Sequence, residues 1–182
     1  MAAANGANGS GIRLCFHGAA QAVTGSCFAL RTDEAHILVD CGLFQGSKTE
    51  KELNYRSFPF DPASLDAVLL THAHIDHSGL LPKLAKDGFE GPVFATSATI
   101  DLCSVMLPDS GHVQEMDVEQ LNRRNARRGL PPVEAIYGVE EAIAILTQFR
   151  AVPVGAFVAV ARGIRARYWD AGHLLGSASI EI

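Results

Sequence analysis

The chain has 182 residues, 48% of them hydrophobic, and a formal net charge of -5. That length and apolar content suit one globular domain with a real core and exclude an intrinsically disordered chain. The acidic balance argues against binding nucleic acid through bulk electrostatics alone, while leaving room for a local basic groove.

Residues 1–11, rich in Ala, Asn, Gly and Ser, have neither a basic start nor an apolar core. They read as a flexible tail rather than a signal peptide or membrane anchor, and the domain is taken as 12–182. No later stretch approaches the roughly 20 apolar residues of a membrane span, and widely spaced cysteines without disulfide spacing lead to the expectation of a cytoplasmic protein. Ile12-Arg13-Leu14-Cys15-Phe16 alternates, Cys27-Phe28-Ala29-Leu30 resumes after a turn, and His36-Ile37-Leu38-Val39 follows. These three strands predict a β-meander and one mostly antiparallel sheet. Residues 48–56 form a charged helix or loop, stopped by Pro59 and Pro62. Ala67-Val68-Leu69-Leu70 is a buried strand, 80–86 a helical pattern ended by Gly88, and Val93-Phe94-Ala95 another strand.

Thr96 or Ser97 can cap a helix with Ile100, Cys103 and Leu107 on its apolar side, halted at Pro108. Residues 113–128 are polar and helical, with Arg123, Arg124, Arg127 and Arg128 near the end. These cations either complement the helix dipole or touch RNA, and the first reading is preferred. Residues 138–149 form an amphipathic helix carrying Val139, Ala142, Ile143 and Leu146. Strands follow at 157–160 and 164–169, and another alternating run begins at Ser177. Cys15, Cys27, Cys41 and Cys103 are widely spaced, without a Cys-x-x-Cys pair, and read as reduced, buried small hydrophobes.

The stretch Thr71-His72-Ala73-His74-Ile75-Asp76-His77 carries the chemistry. Three imidazoles and a carboxylate crowd the end of a buried strand, and no structural need calls for them, so the cluster invites a metal. His72 and His74, two positions apart, leave an extended backbone on the same side. A strand-loop-helix corner places them at the carboxyl edge of the sheet, where open α/β sheets bind ligands. His173 repeats the arrangement, an imidazole at the tip of a turn holding Gly172 and Gly176. On position alone it is either a third ligand or a surface histidine. Trp169 reads as packing for that corner, while His17, His36 and His112 read as ordinary strand-edge or loop residues.

His72-Ala73-His74-Ile75-Asp76-His77 resembles the second motif of the metallo-β-lactamase superfamily. Val23-Thr24-Gly25-Ser26-Cys27, Asp40-Cys41-Gly42-Leu43-Phe44-Gln45-Gly46 and Ala171-Gly172-His173-Leu174-Leu175-Gly176-Ser177-Ala178 narrow the resemblance to its β-CASP branch. That branch holds RNA-processing nucleases, including ribonuclease J-like and cleavage and polyadenylation endonucleases. The resemblance implies an α/β (α+β) fold, an αββα sandwich whose sheet is covered by helices. It implies that His72, His74 and His173 hold one zinc, and that Asp76 and His77 hold a second. Asp76 would also fix the attacking water, and Asp40 would support the ligand loop from behind. The implied reaction is zinc-dependent hydrolysis of RNA phosphodiesters by water activated between the metals.

The sequence departs from the family after His173, where neither the metal-bridging aspartate of a Gly-Asp pair nor the later histidines follow. The expectation is therefore an N-terminal half, inactive alone and holding about one zinc. Its bare inner sheet face would be prone to homo-oligomer formation. Two other readings stand beside this one. A lactam hydrolase of the same fold is opposed by the tail and by His77, and a thioester hydrolase by the runs at 40–46 and 172–177. A non-catalytic interaction module would need a reason to keep so many ligand-type residues.

Overall fold

The computed structural model describes residues 11–182. The expected tail lies outside them apart from Gly11. Two sheets form. The larger contains β1 (Arg13–Phe16), β2 (Phe28–Arg31), β3 (His36–Val39), β4 (Ala67–Leu69), β5 (Val93–Ala95) and β6 (Phe149–Ala151), in that spatial order. The smaller contains β7 (Phe157–Ala161), β8 (Ile164–Asp170) and β9 (Ala178–Glu181). The helices are α1 (Lys48–Lys51), α2 (Ile75–Ser78), α3 (Leu81–Lys86), α4 (Ser97–Arg127) and α5 (Val139–Leu146).

The single, mostly antiparallel sheet of the sequence reading needs correction. The meander β1–β3 is antiparallel, as are β7–β9, but β3 to β6 run parallel. From β4 to β6 each return passes through helices, α2 and α3 and then α4 and α5, and a crossover delivers its next strand parallel. Parallel strands are buried on both faces, which is why residues 67–70 form a continuous apolar run rather than an alternation. Ala67, Val68, Leu69 and Leu70 are all fully buried.

Strand pleating divides the interior in two. Ala29, Leu38, Val68 and Val93 face the helices and pack with Leu81, Leu84, Cys103, Leu107 and Ile145. Ile37, Ala67 and Leu69 face the smaller sheet and meet Val160, Ile164, Ala166 and Tyr168. The buried Tyr168 hydroxyl donates to the Phe94 carbonyl at 3.0 Å, joining the two sheets. The inner face is thus not bare throughout. Three strands cover its middle, whereas Ile12, just before the first strand, and Leu14 and Phe16 within it remain 77%, 51% and 60% exposed.

The helix expected to halt at Pro108 instead continues as α4 to Arg127, absorbing the separate helix read at 113–128. A proline inside a helix costs about 3 kcal/mol, so contacts on both sides must offset it. Leu107 and Gly111 are buried, and Ser110 Oγ lies 2.8 Å from the hydroxyl of buried Tyr137. Gly111 sits so close to Gly138 that a Cβ would fall 2.8 Å from its carbonyl carbon. Glu115 accepts from the Val139 amide at 3.1 Å, tying α4 to the start of α5. β6 overlaps the helical reading of 138–149 only at Phe149 and is not expected from the sequence, because three residues with Arg150 in the middle carry almost no strand pattern. All four cysteines are free, and three are buried. Among the described residues no helix is long and apolar enough to cross a membrane.

Removing only the hydroxyl bridge between the sheets, by Tyr168→Phe, should lower unfolding free energy in urea by about 1 kcal/mol. Tyr168→Ala, which also empties the space between the sheets, should cost about 3–5 kcal/mol. Equal effects of the two variants would contradict this packing.

Candidate metal centre

The loop following β4 leaves the sheet at Leu70, whose amide still bonds to the Phe94 carbonyl at 2.8 Å. His72 and His74 lie on it, and the single turn α2, with His74 as its N-cap, carries Asp76 and His77 back beside them. The second loop follows β8. There Gly172 adopts φ 65° and Gly176 φ 84°, the left-handed region anticipated from the sequence. Asp170 Oδ1 accepts from the Gly172 amide at 2.9 Å, and Ser177 Oγ accepts from the His173 and Leu174 amides, both at 3.1 Å. The Gly176 carbonyl receives the hydroxyls of Thr96 and Thr99 at 2.6 and 2.9 Å, docking the loop on the first turn of α4. The Ala178 amide donates to the Thr71 carbonyl at 2.9 Å, clamping one loop to the other.

Three imidazoles meet as a result. His72 Nε2 and His173 Nε2 each lie 3.2 Å from His74 Nδ1, and the three ring nitrogens fall within 4.8 Å of one another. A tetrahedral ion with bonds of 2.0–2.1 Å separates its ligands by about 3.3 Å, so these spacings fit a divalent metal. His72 is buried while His74 and His173 are exposed, which leaves the cluster open on one side. Burial, and then the neighbouring His77, push the His72 pKa down to about 4. At neutral pH it is an uncharged lone-pair donor, the form a metal needs.

Asp76 and His77 stand alongside. The His72 and His77 ring centroids are 4.0 Å apart, and His77 Nε2 lies 3.8 Å from Asp76 Oδ2. Asp40 follows β3 in a left-handed conformation, φ 59°, that turns its carboxylate under both loops. It is 1% exposed and accepts from the Thr71 amide at 2.8 Å, the Thr71 hydroxyl at 2.9 Å, Ser26 Oγ at 3.3 Å and His77 Nδ1 at 2.7 Å. A carboxylate can only accept, so His77 carries a hydrogen on Nδ1 and directs Nε2 toward Asp76. Burial alone would lower the His77 pKa. The hydrogen bond to Asp40, with the charges of Asp40 and Asp76, outweighs that and raises it.

Sequence reasoning placed Asp40 behind the ligand loop but did not find its companions. Thr71 Oγ1 is also 2.9 Å from His72 Nδ1. Gly42 lies flat on the 75–77 turn, and a Cβ there would fall 1.7 Å from the Asp76 carbonyl oxygen. The amides of Cys41 and Leu43 bond to the carbonyls of His77 and Ile75 at 2.8 and 3.0 Å. The glycine of the Asp-Cys-Gly run was the available signal for this close approach. Trp169 does not pack the corner as expected. It is 44% exposed, covered by Arg167, and donates from Nε1 to Glu181 at 2.9 Å. The arginine group sits on the last turns of α4, where Arg123 pairs with Glu119 at 2.6 Å. At 1.5 Å per residue that is about 45 Å along the helix from the end that holds the His173 loop, so a solvated helix end suits it.

Residues 20–93, which include the whole second motif, match the family described as the Metallo-beta-lactamase superfamily. The chain therefore carries a metallo-beta-lactamase domain. It is 37% identical over 169 residues to ribonuclease TTHA0252 of Thermus thermophilus, a match covering 93% of this chain and 34% of that protein. It is 34% identical over 172 residues to the transcription termination factor FttA of Methanothermobacter thermautotrophicus, covering 91% and 24%. The chain therefore spans about a third of the one relative and a quarter of the other. The subclass B3 metallo-beta-lactamase MEM-A1, from a soil metagenome library, aligns with TM-score 0.52 and 21% identity over 87% of this chain and 51% of its own. The Rm3 metallo-beta-lactamase aligns with TM-score 0.54 and 18% identity over 92% and 52%. These likenesses show the metallo-beta-lactamase fold, and the superfamily's chemistry implies a divalent metal. The similarity to a ribonuclease agrees with the β-CASP resemblance of the four motifs.

Gly42→Ala should push the 75–77 turn away from its partner loop. We expect a stability loss of about 1–3 kcal/mol in urea titration, accompanied by weaker metal retention. Wild-type stability and retention would contradict the close approach.

Proposed function

We propose that this chain carries the zinc centre of a hydrolase that cleaves RNA phosphodiester bonds. The observation behind this reading is the convergence of three imidazole nitrogens from two distant loops, beside a carboxylate and a fourth imidazole. His72, His74 and His173 would hold one zinc and leave a position open, whereas Asp76 and His77 would hold a second less firmly. Imidazole donors favour zinc over the hard cations that prefer all-oxygen sites. Bound there, zinc supplies a Lewis acid and lowers the pKa of water toward neutrality.

The chain's own residues have separate tasks. Asp40 accepts the Nδ1 hydrogen of His77 and so directs its Nε2 toward Asp76. Asp76, part-exposed at the rim, accepts a hydrogen bond from the attacking water and orients it. His74 and His173 are exposed, so a phosphodiester reaches the cluster from the open side. With a net charge of -5, attraction for a polyanion has to come from this local centre rather than from the surface at large.

The similarity to ribonuclease TTHA0252 supports RNA as the substrate class over a lactam or thioester. Free, mostly buried thiols suit a cytoplasmic protein. The exposed row Ile12, Leu14 and Phe16 would support self-association.

After dialysis at neutral pH the chain should retain about one zinc, and His74→Ala should abolish retention. Two firmly held metals would contradict the weaker second position. The protein should cut RNA labelled at its 5′ end in a zinc-dependent manner, and His74→Ala should lose that activity. Hydrolysis of a thioester or lactam with RNA left intact would overturn the substrate assignment.

A further inference from the structure

We infer that Thr71 is a positioning residue, its single hydroxyl setting the tautomer and ring orientation of His72 while holding Asp40 on His77. The inference rests on the metal reading above and goes beyond it. Thr71 Oγ1 lies 2.9 Å from Asp40 Oδ2, 3.0 Å from Asp40 Oδ1 and 2.9 Å from His72 Nδ1. A hydroxyl has one hydrogen to give and lone pairs to receive with. The carboxylate has none to give, so the Thr71 hydrogen goes to Asp40. The contact with His72 can then be a hydrogen bond only if Nδ1–H donates to Thr71 Oγ1. This leaves the His72 lone pair on Nε2, the nitrogen 3.2 Å from His74 Nδ1.

The same carboxylate takes the Nδ1 hydrogen of His77 at 2.7 Å. One chain of donors, His72 to Thr71 to Asp40 from one side and His77 to Asp40 from the other, therefore prepares an imidazole for each proposed metal position. The backbone reinforces it. The Thr71 amide also donates to Asp40, at 2.8 Å, and its carbonyl receives the Ala178 amide, so the loop that bears His173 is fixed to the same residue. Partners that orient a ligating histidine typically change metal affinity by about 10–100-fold when removed.

The test replaces the hydroxyl with a methyl group of similar shape in Thr71→Val and retains it in Thr71→Ser. Zinc affinity is read by competition with a chromogenic chelator, and the His72 tautomer by the 15N shifts of its ring in the zinc-free protein. Thr71→Val should bind zinc about 10–100-fold more weakly and lose the single Nδ1–H form of His72. Thr71→Ser should stay within about threefold of wild type, because the donor and acceptor remain. A Thr71→Val protein with wild-type zinc affinity and an unchanged His72 tautomer would overturn the inference. Should Thr71→Val fail to fold, the wild-type spectrum decides alone: Nδ1–H at His72 supports the inference and Nε2–H refutes it. Failure of the wild-type chain to bind zinc at all would instead defeat the metal reading on which this rests.

Discussion

Asp40 is almost wholly buried, and an ionised carboxylate taken out of water is tolerable only when donors occupy its oxygens. Its donors come from three places in the chain: Ser26 before β2, Thr71 after β4 and His77 in α2. Satisfying one buried charge therefore fixes three segments relative to one another. The left-handed backbone at Asp40 is what lets a residue just past a strand turn its side chain under the loops. The histidines gather where they do because the alternative leaves a buried anion without partners.

The two halves of the cluster belong to different sheets, and the sheets are joined independently of any ion. Tyr168 reaches the Phe94 carbonyl, Ala178 reaches the Thr71 carbonyl, and the Gly176 carbonyl takes two hydroxyls from the start of α4. Such preorganisation leaves a metal little to do beyond filling a space already bounded by nitrogen atoms. The open side follows from the same construction, since the buried His72 forms the floor and the exposed His74 and His173 form the rim.

Some of this was legible in the sequence. Three histidines and an aspartate at the end of an apolar run have no structural excuse, and two glycines around His173 declare a tight turn. The meander, the buried strand at 67–69 and the cap at Thr96 also follow from local pattern. What escaped is what depends on distant partners. The continuation of α4 through Pro108 requires Tyr137 and Gly138, residues about thirty positions later, to press against its far side. The 3.2 Å approach of His173 to His74 spans 99 positions, and position alone leaves His173 as either a third ligand or a surface histidine until the family resemblance favours the first. Thr71 carries no periodic signal at all. Its importance appears only once Asp40 and His72 are placed on either side of one oxygen.

Imidazoles of two separate loops form one metal-binding volume. X-ray absorption at the zinc edge of the loaded chain examines it most directly, because imidazole rings leave a distinct multiple-scattering signature. The expected first shell is nitrogen and oxygen with about three imidazoles, reduced by one in His173→Ala. Sulfur in the first shell, or a spectrum unchanged by His173→Ala, would contradict it.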